Sequence, residues 1–498
     1  MKRIKEWFTA NRSLAIALGM TLLFMVVAGW QILAKEQYSL ALIPLGLALL
    51  WMLLQRFDTM LLCMALFTPF SINLDVTHEL TLSVPTEPLM ILFTALFFFR
   101  VLVAKNYDRR ILKHPVTVLL LLSLAWMLIT SLFSQIPLAS LKHTVARVWF
   151  VTPFFFACAQ FFKDKRRIRQ FWGAYGTGLA AVIIITTIKT IGNYSDLQTM
   201  HRVMQPFYND HTAYGCIIAL MMPLTLYFTL GRGSSGWRRV LPATLFVLLG
   251  VGVVFSYCRA AWLSLAGALG MYILVRAGLK MRWILALIGI AVVGFFVYQS
   301  DLLYRLSKNK QDSSYTLAEQ IQSISNISTD ASNLERLNRW ASAIRMWDEH
   351  KWNGCGPGTY QFLYASYQRS YQLSTISTNA GNRGNAHSEY IGPLTEQGIP
   401  GAILVIALVL TTFATGVRIY RTSHNPQVAK LALALALSLL TYYIHGIFNN
   451  FLDTDKLSVP FWAFTAAIVA LDIYGDDNDS LVAGVTDKTS ISAEGVGA

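Results

Sequence analysis

Apolar runs of about 15–20 residues, parted by short polar connections, fill the chain up to residue 300 and return after residue 399. A helix of roughly 20 apolar residues matches the ~30 Å hydrocarbon layer of a bilayer. The runs predict spans near 14–33, 39–54, 59–73, 87–103, 116–134, 148–162, 172–191, 212–230, 240–256, 260–277, 283–299, 400–418, 430–449 and 458–474. Two of these, 59–73 and 148–162, are short for a full crossing, so the pattern predicts an all-α polytopic membrane protein with about 12–14 transmembrane helices. The chain divides into helices with short loops over 1–299, one large, partly helical loop over 300–399, C-terminal helices over 400–474 and a polar tail over 475–498 that is expected to be disordered.

Within the large loop, the stretch through Ser332 is polar and expected to be mobile. Ser332-Asn-Leu-Glu335 then reads as a capping box opening a helix, with Trp340, Ile344 and Trp347 on one face, expected to pack on the membrane domain. Gly354-Cys-Gly-Pro-Gly358 ends that helix. It follows no strand and lacks the Lys-Ser/Thr of a phosphate loop, so it reads as backbone punctuation.

Composition agrees with the pattern: 54% of residues are hydrophobic and 14% charged, against roughly 25% charged in soluble proteins. The net charge of +14 is topological rather than a nucleic-acid footprint. Its Lys and Arg gather in the connections Lys105–Lys113, Lys163–Arg169, Arg232–Arg239, Arg276–Arg282 and Arg418–Arg421, all on the side of the N-terminus, which is the positive-inside arrangement. No basic stripe interleaved with aromatics stands in a polar region, so no nucleic-acid partner is expected. No cleavable signal is evident after Met1–Arg12. Cys63, Cys158, Cys216, Cys258 and Cys355 lack metal-type spacing and read as small buried hydrophobes, with a Cys258–Cys355 disulfide left open.

Three outward segments carry candidate chemistry. His387-Ser388 closes the large loop nine residues before Gly398-Ile-Pro-Gly401. The imidazole there is either a helix-capping group or a general base. Arg259 stands in the tight turn Ser256–Leu263, where it either snorkels or faces a polar cavity. Arg202 lies in the connection 192–211 ahead of Pro206-Phe-Tyr-Asn209. Two permanent cations and one titratable base suit a phosphate-bearing donor and an acceptor that must lose a proton. Asn209-Asp210-His211 is the nearest thing to a metal cluster and reads better as a helix cap.

These residues resemble the bacterial O-antigen ligase family. His387-Ser388…Gly398-Ile-Pro-Gly401 matches its His-[Asn/Ser/Gln]-x9-Gly-x-x-[Gly/Thr/Tyr] pattern at every fixed place, with Ser388, Gly398 and Gly401 as the supporting positions. Arg259-Ala-Ala-Trp-Leu263 fits its Arg-x3-Leu, Arg202 its earlier outer arginine, and Arg336-Leu-Asn-Arg-Trp340 and Gly354–Tyr360 the stretches ahead of the histidine. The likeness runs from Arg202 to Gly401, with hydropathy alone supporting the rest.

The resemblance implies a membrane-embedded, lipid-donor glycosyltransferase of GT-C-like fold in the bacterial inner membrane, with residues 300–399 and the site periplasmic. It implies an undecaprenyl-pyrophosphate-linked glycan as donor, and lipid A–core or a growing glycan as acceptor. His387 would be the base of an inverting transfer, and Arg202, Arg259 and Arg336 would hold the pyrophosphate. No convincing Asp-x-Asp or His/carboxylate cluster faces outward, so no metal or other cofactor is expected. O-antigen or exopolysaccharide polymerases and protein O-oligosaccharyltransferases share the frame and differ in acceptor. A flippase or transporter is the alternative of another class; the hydropathy shows no internal repeat in its favour.

Overall fold

A computed structural model describes residues 56–77, 80–105, 107–192, 202–231, 237–283, 286, 331–374, 377 and 384–475. Contacts part the chain into residues 1–60 and 61–498. Of the first unit, residues 56–60 are described, and they lead into the helix Phe57–Phe67 (α1).

After α1 the chain forms a two-stranded antiparallel hairpin, Ile72–Thr77 (β1) and Leu80–Val84 (β2), and then helices. These are Thr86–Ala104 (α2), Arg109–Lys113 (α3), Pro115–Leu132 (α4), Pro137–Val151 (α5), Cys158–Phe161 (α6), Arg166–Gly192 (α7), His211–Leu230 (α8), Trp237–Phe255 (α9), Arg259–Arg276 (α10), Ala331–Glu349 (α11), Tyr360–Leu363 (α12), Ile391–Thr422 (α13), Pro426–His445 (α14) and Asp455–Tyr474 (α15).

Among the described residues, 8 helices are long and apolar enough to cross a membrane: α2, α4, the continuous stretch Pro137–Phe161, α7, α8, α13, α14 and α15. The protein is therefore a mostly helical, polytopic membrane protein. The expected spans 14–33 and 39–54 and nearly all of 283–299 lie outside the described residues, as do nearly all of the 475–498 tail and the loop up to residue 330.

Three expectations shift. The run 59–73 gives a helix that stops at Phe67 and a 3-10 turn to Phe70, because Ile72 begins a strand. The all-α expectation thus misses the hairpin, whose ends are tied to a buried ion pair: Asp455 accepts from Ser71 and Thr86, and Lys456 Nζ donates to the Ser71 carbonyl at 2.9 Å. The short run 148–162 is the apolar end of a helix that begins at Pro137. Its polar first half is supported by partners, with Arg147 on Asp453 at 2.8 Å and Thr144 on Ser131 at 2.9 Å. The last shift is in α13, which starts at Ile391 rather than near residue 400.

The centre of the bundle is α14 and α15, buried on nearly every face, whereas α2 and α4 turn leucines and phenylalanines outward. A helix apolar all round is either buried or lipid-facing, and both kinds occur here. The basic connections collect at one end: Lys163 and Arg110 reach Asp108, Arg418 reaches Asp472, Lys165 reaches the Gly475 carbonyl and Arg421 that of Leu279. The turn 256–258, α11 and the 384–390 segment lie toward the other end, where α13 and α15 begin. This separation is what the Lys/Arg asymmetry of the sequence predicts.

Candidate functional site

The turn between α9 and α10 puts Arg259 at the first residue of α10, behind Tyr257, whose φ of +48° is left-handed. A cation at the positive end of a helix is unfavourable by itself. No side chain caps α10, so its first backbone donors and the guanidinium together favour an anion. Arg259 lines an open cleft of about 90 Å³ with His211, Cys258, Asn333, Arg336 and Phe448, several times the space one water needs. Burial holds the Cys258 thiol up at about 11, which leaves it unreactive.

One turn of α11 builds the opposite wall. Arg336 donates through Nε to the Phe448 carbonyl at 3.3 Å and through a terminal nitrogen to Asn333 at 3.1 Å. Arg339, three residues on, pairs with Glu335 at 2.7 Å and holds the Asn385 carbonyl at 3.1 Å. Trp340 stacks on Phe448, and its indole donates to the His387 carbonyl at 3.4 Å. Residues spaced by three and four share a helix face, so a single turn grips both loops of the site.

The sequence reading of α11 needs two corrections. Ile344 is 41% exposed, and the buried face is the polar one: Glu335, Asn338, Arg339, Ser342, Ala343 and Met346. Its cover comes from Tyr360 and Tyr364, stacked 5.3 Å apart, and from Thr395, which donates to the Ala343 carbonyl at 3.1 Å. The capping box is not formed, since Glu335 accepts from Arg339, Ser374 and Ser377 instead. Burial alone would raise its carboxyl; those donors outweigh it and hold the pKa below the usual value.

His387 is half-buried and also left-handed, with φ +48°. Non-glycine residues in this region carry strain that surrounding contacts must hold. Here the contacts are Trp340 on its carbonyl and Asn385 on its N–H at 3.1 Å. Burial, then the charges of Arg339 and Arg336, push its imidazole down from 6.5 to about 3, with Asp210 pulling the other way. The ring is neutral at physiological pH and faces two cations.

The spacing of the histidine motif acquires a physical meaning. Ser388 Oγ accepts from the N–H groups of Tyr390 and Ile391, both at 3.3 Å, and so satisfies backbone donors at the start of α13. Gly398 then breaks α13 with φ +70°, and a Cβ there would stand 2.1 Å from the Trp352 carbonyl oxygen. Gly354, φ +68°, makes the reciprocal approach, with Glu396 backbone 2.2 Å from where its Cβ would be. Gly401 packs against Gln397 one turn further on. The glycine-rich turn is more than punctuation: the N–H groups of Gly358 and Tyr360 hold the Glu396 carboxylate at 2.9 and 3.0 Å.

The structure thus brings Arg259 and Arg336 into one cleft and ties His387 to it through Trp340 and Phe448. Arg202 is exposed on the turn before α8 and does not line the cleft. Asp210 caps α8, accepting from Thr212 and Ala213 at 2.8 Å each, as the cap reading of the sequence had it. All five cysteines are free. Among the described residues no three His, Cys, Asp or Glu side chains are grouped to hold a metal ion.

Sequence reasoning missed Arg339, although its spacing from Arg336 could have shown it. It also missed Glu389, which accepts from Tyr442 and from the Phe451 and Leu452 N–H groups at 2.9 and 3.0 Å. A second overlooked histidine, His445, is fully buried beside Asn449.

The family model described as O-antigen ligase matches residues 244–406. That stretch contains Arg259, Arg336, His387, Ser388, Gly398 and Gly401, and Arg202 lies ahead of it. No curated protein matches the chain.

Proposed function

We propose that this chain, whose residues 244–406 match the O-antigen ligase family model, transfers a glycan from undecaprenyl pyrophosphate to a sugar hydroxyl of lipid A–core at the periplasmic face of the inner membrane. The family match and the membrane helices support a role of the ligase or polymerase type in general. The observation that carries the finer reading is the cleft where Arg259, Arg336 and the uncapped start of α10 converge beside the His387 segment.

In this reading the pyrophosphate sits between Arg259 and Arg336, whose planar forks suit its oxygens. Arg202 adds positive charge from the exposed turn. The acceptor oxygen attacks the anomeric carbon as the bond to pyrophosphate breaks, inverting that carbon, and the acceptor proton passes to neutral His387. The two arginines offset the charge that grows on the leaving undecaprenyl pyrophosphate. An imidazole held near 3 by burial first, and then by the charges of Arg339 and Arg336, is a weak base before donor binds. A bound pyrophosphate neutralises Arg336 and raises the proton affinity of His387, so the donor switches on its own base.

Purified protein supplied with lipid-linked glycan and lipid A–core tests the reading. Capped lipid A–core should form with wild type and not with His387→Ala. Elongated lipid-linked glycan without capping would identify a polymerase instead.

A further inference from the structure

Residues 202–210, which lead from Arg202 into α8, are turns and bends without helix or strand. Such a segment keeps one shape only where contacts offset the entropy of ordering it. Inside it, the Gln205 N–H donates to the Arg202 carbonyl at 3.0 Å, and the Gln205 side-chain amide reaches the Asn209 carbonyl at 3.4 Å. Asn209 is gripped from outside, where its Oδ1 accepts from Asn73 Nδ2 on β1 at 3.0 Å. Two rings seat the middle of the turn. Phe207 meets Phe70 edge-on at 6.1 Å, and the ring of Tyr208, 2% exposed, faces the Lys456 ammonium at 5.7 Å.

The hairpin that supplies Asn73 stands on charge. Asp455 and Lys456, 1% and 6% exposed, pair at 3.3 Å at the start of α15. Lys456 holds the Ser71 carbonyl, and Asp455 the hydroxyls of Ser71 and Thr86, so both feet of the hairpin rest on one ion pair. A buried ion pair often stabilises a fold no more than apolar residues of the same volume would. What it adds is direction, because charge-assisted hydrogen bonds fix the groups they join. That direction is passed on by β2: the Ser83 hydroxyl donates to Asn73 Oδ1 at 2.9 Å, which leaves the amide nitrogen to face Asn209. Asn73 is exposed and water could satisfy its amide, so burial does not oblige it to bond the turn.

We infer that Asn73 is a positioning residue for donor binding: the hairpin, seated on Asp455 and Lys456, fixes the turn 202–210 and with it the place of Arg202. The inference rests on the transfer reading above, in which Arg202 adds positive charge at the pyrophosphate. Asn73 touches no reacting atom there. An arginine on an unheld turn loses part of its attraction to ordering that turn when donor binds, and an arginine held beforehand does not.

The full chain in phosphatidylcholine nanodiscs would be titrated with undecaprenyl pyrophosphate, and transfer measured at saturating donor. Asn73→Ala should raise Kd about fivefold, as loss of one hydrogen bond does, and leave kcat within about twofold. A merely structural role would lower the folded fraction and kcat and spare Kd. With Arg202→Ala in place, adding Asn73→Ala should change Kd no further, because Asn73 acts through that arginine. Peptides covering 202–210 should also exchange amide hydrogens faster in Asn73→Ala. An unchanged Kd in Asn73→Ala beside weakened binding in Arg202→Ala overturns the inference, as does an additive double variant. An unchanged Kd in both removes Arg202 from donor binding and the inference with it. Binding weakened as expected in a chain that caps no lipid A–core would instead keep the role of Asn73 and remove the transfer reading.

Discussion

The indole of Trp340 donates to the carbonyl of His387 while its ring stacks on Phe448, whose own carbonyl holds Arg336. One side chain thus sets the distance between the histidine and the arginine cleft. Trp340→Phe keeps the stacking and loses the hydrogen bond, worth about 0.5–1.5 kcal/mol net. The expected outcome is a kcat roughly tenfold lower with donor KM unchanged, because the left-handed His387 is no longer held in register. A KM change without a kcat change would point to substrate binding instead.

His387→Ala should lower transfer by about 10²–10⁴-fold, the usual contribution of a positioned base. Donor affinity, measured on the same purified protein, should hardly move. Loss of donor binding would make the imidazole a pyrophosphate ligand.

The pH profile should not follow an ordinary histidine. With His387 pushed down to about 3 before donor binds, kcat/KM is expected to stay level through the range around 6–7. The acid limb of kcat should lie at higher pH than that of kcat/KM, since bound donor raises the imidazole. Folding is linked to the same group: between 6.5 and about 3 the unfolded chain takes a proton that the folded chain refuses, so stability is lost as the pH drops through that window. Acid limbs that coincide would dismiss the donor-switched base.

Arg259→Lys should lose most transfer although charge is kept, because the bidentate fork is gone. Arg202→Ala should cost clearly less, since Arg202 is exposed and off the cleft. Steady-state kinetics of the two variants side by side gives the order. The reverse order would put the pyrophosphate on the turn before α8.

Gly398→Ala should cost about 1–3 kcal/mol for backbone strain and more for the contact with the Trp352 carbonyl. A lowered midpoint for heat-induced aggregation in detergent, together with reduced transfer, is the expected result. A midpoint equal to wild type would mean that the kink of α13 relaxes freely.

If Arg259 and Arg336, which line one cleft, supply the positive charge at the leaving group as proposed, excess chelator should leave transfer intact. Abolition by chelator and rescue by magnesium or manganese would reopen Asp210 and His211 as ligands.

Hydropathy was enough to place α2, α4, α7, α8, α14 and α15, because lipid and bundle core demand the same apolar composition. The motif around His387 was legible for a related reason: a serine that satisfies helix-start donors and a glycine that kinks a helix are local devices written in adjacent residues. Glu389 and Glu396 were illegible because their donors come from residues 442–452 and 358–360, far along the chain. The polar buried face of α11 was hidden likewise, since Tyr360 and Tyr364, which cover it, follow a glycine turn that looked like a terminator. The hairpin escaped notice because β1 begins inside an apolar run already assigned to a helix.

The order of synthesis sets a condition on this architecture. α14 and α15, the innermost helices, are the last described ones to be translated. Earlier helices must therefore wait in the bilayer around a vacancy. The loop 446–454, whose backbone receives Arg336 and holds Glu389, assumes its form only when α15 docks. A ribosome stalled ahead of Asp455 would leave a bundle whose periphery is present, whose heart is missing and whose two arginines have nothing to close upon.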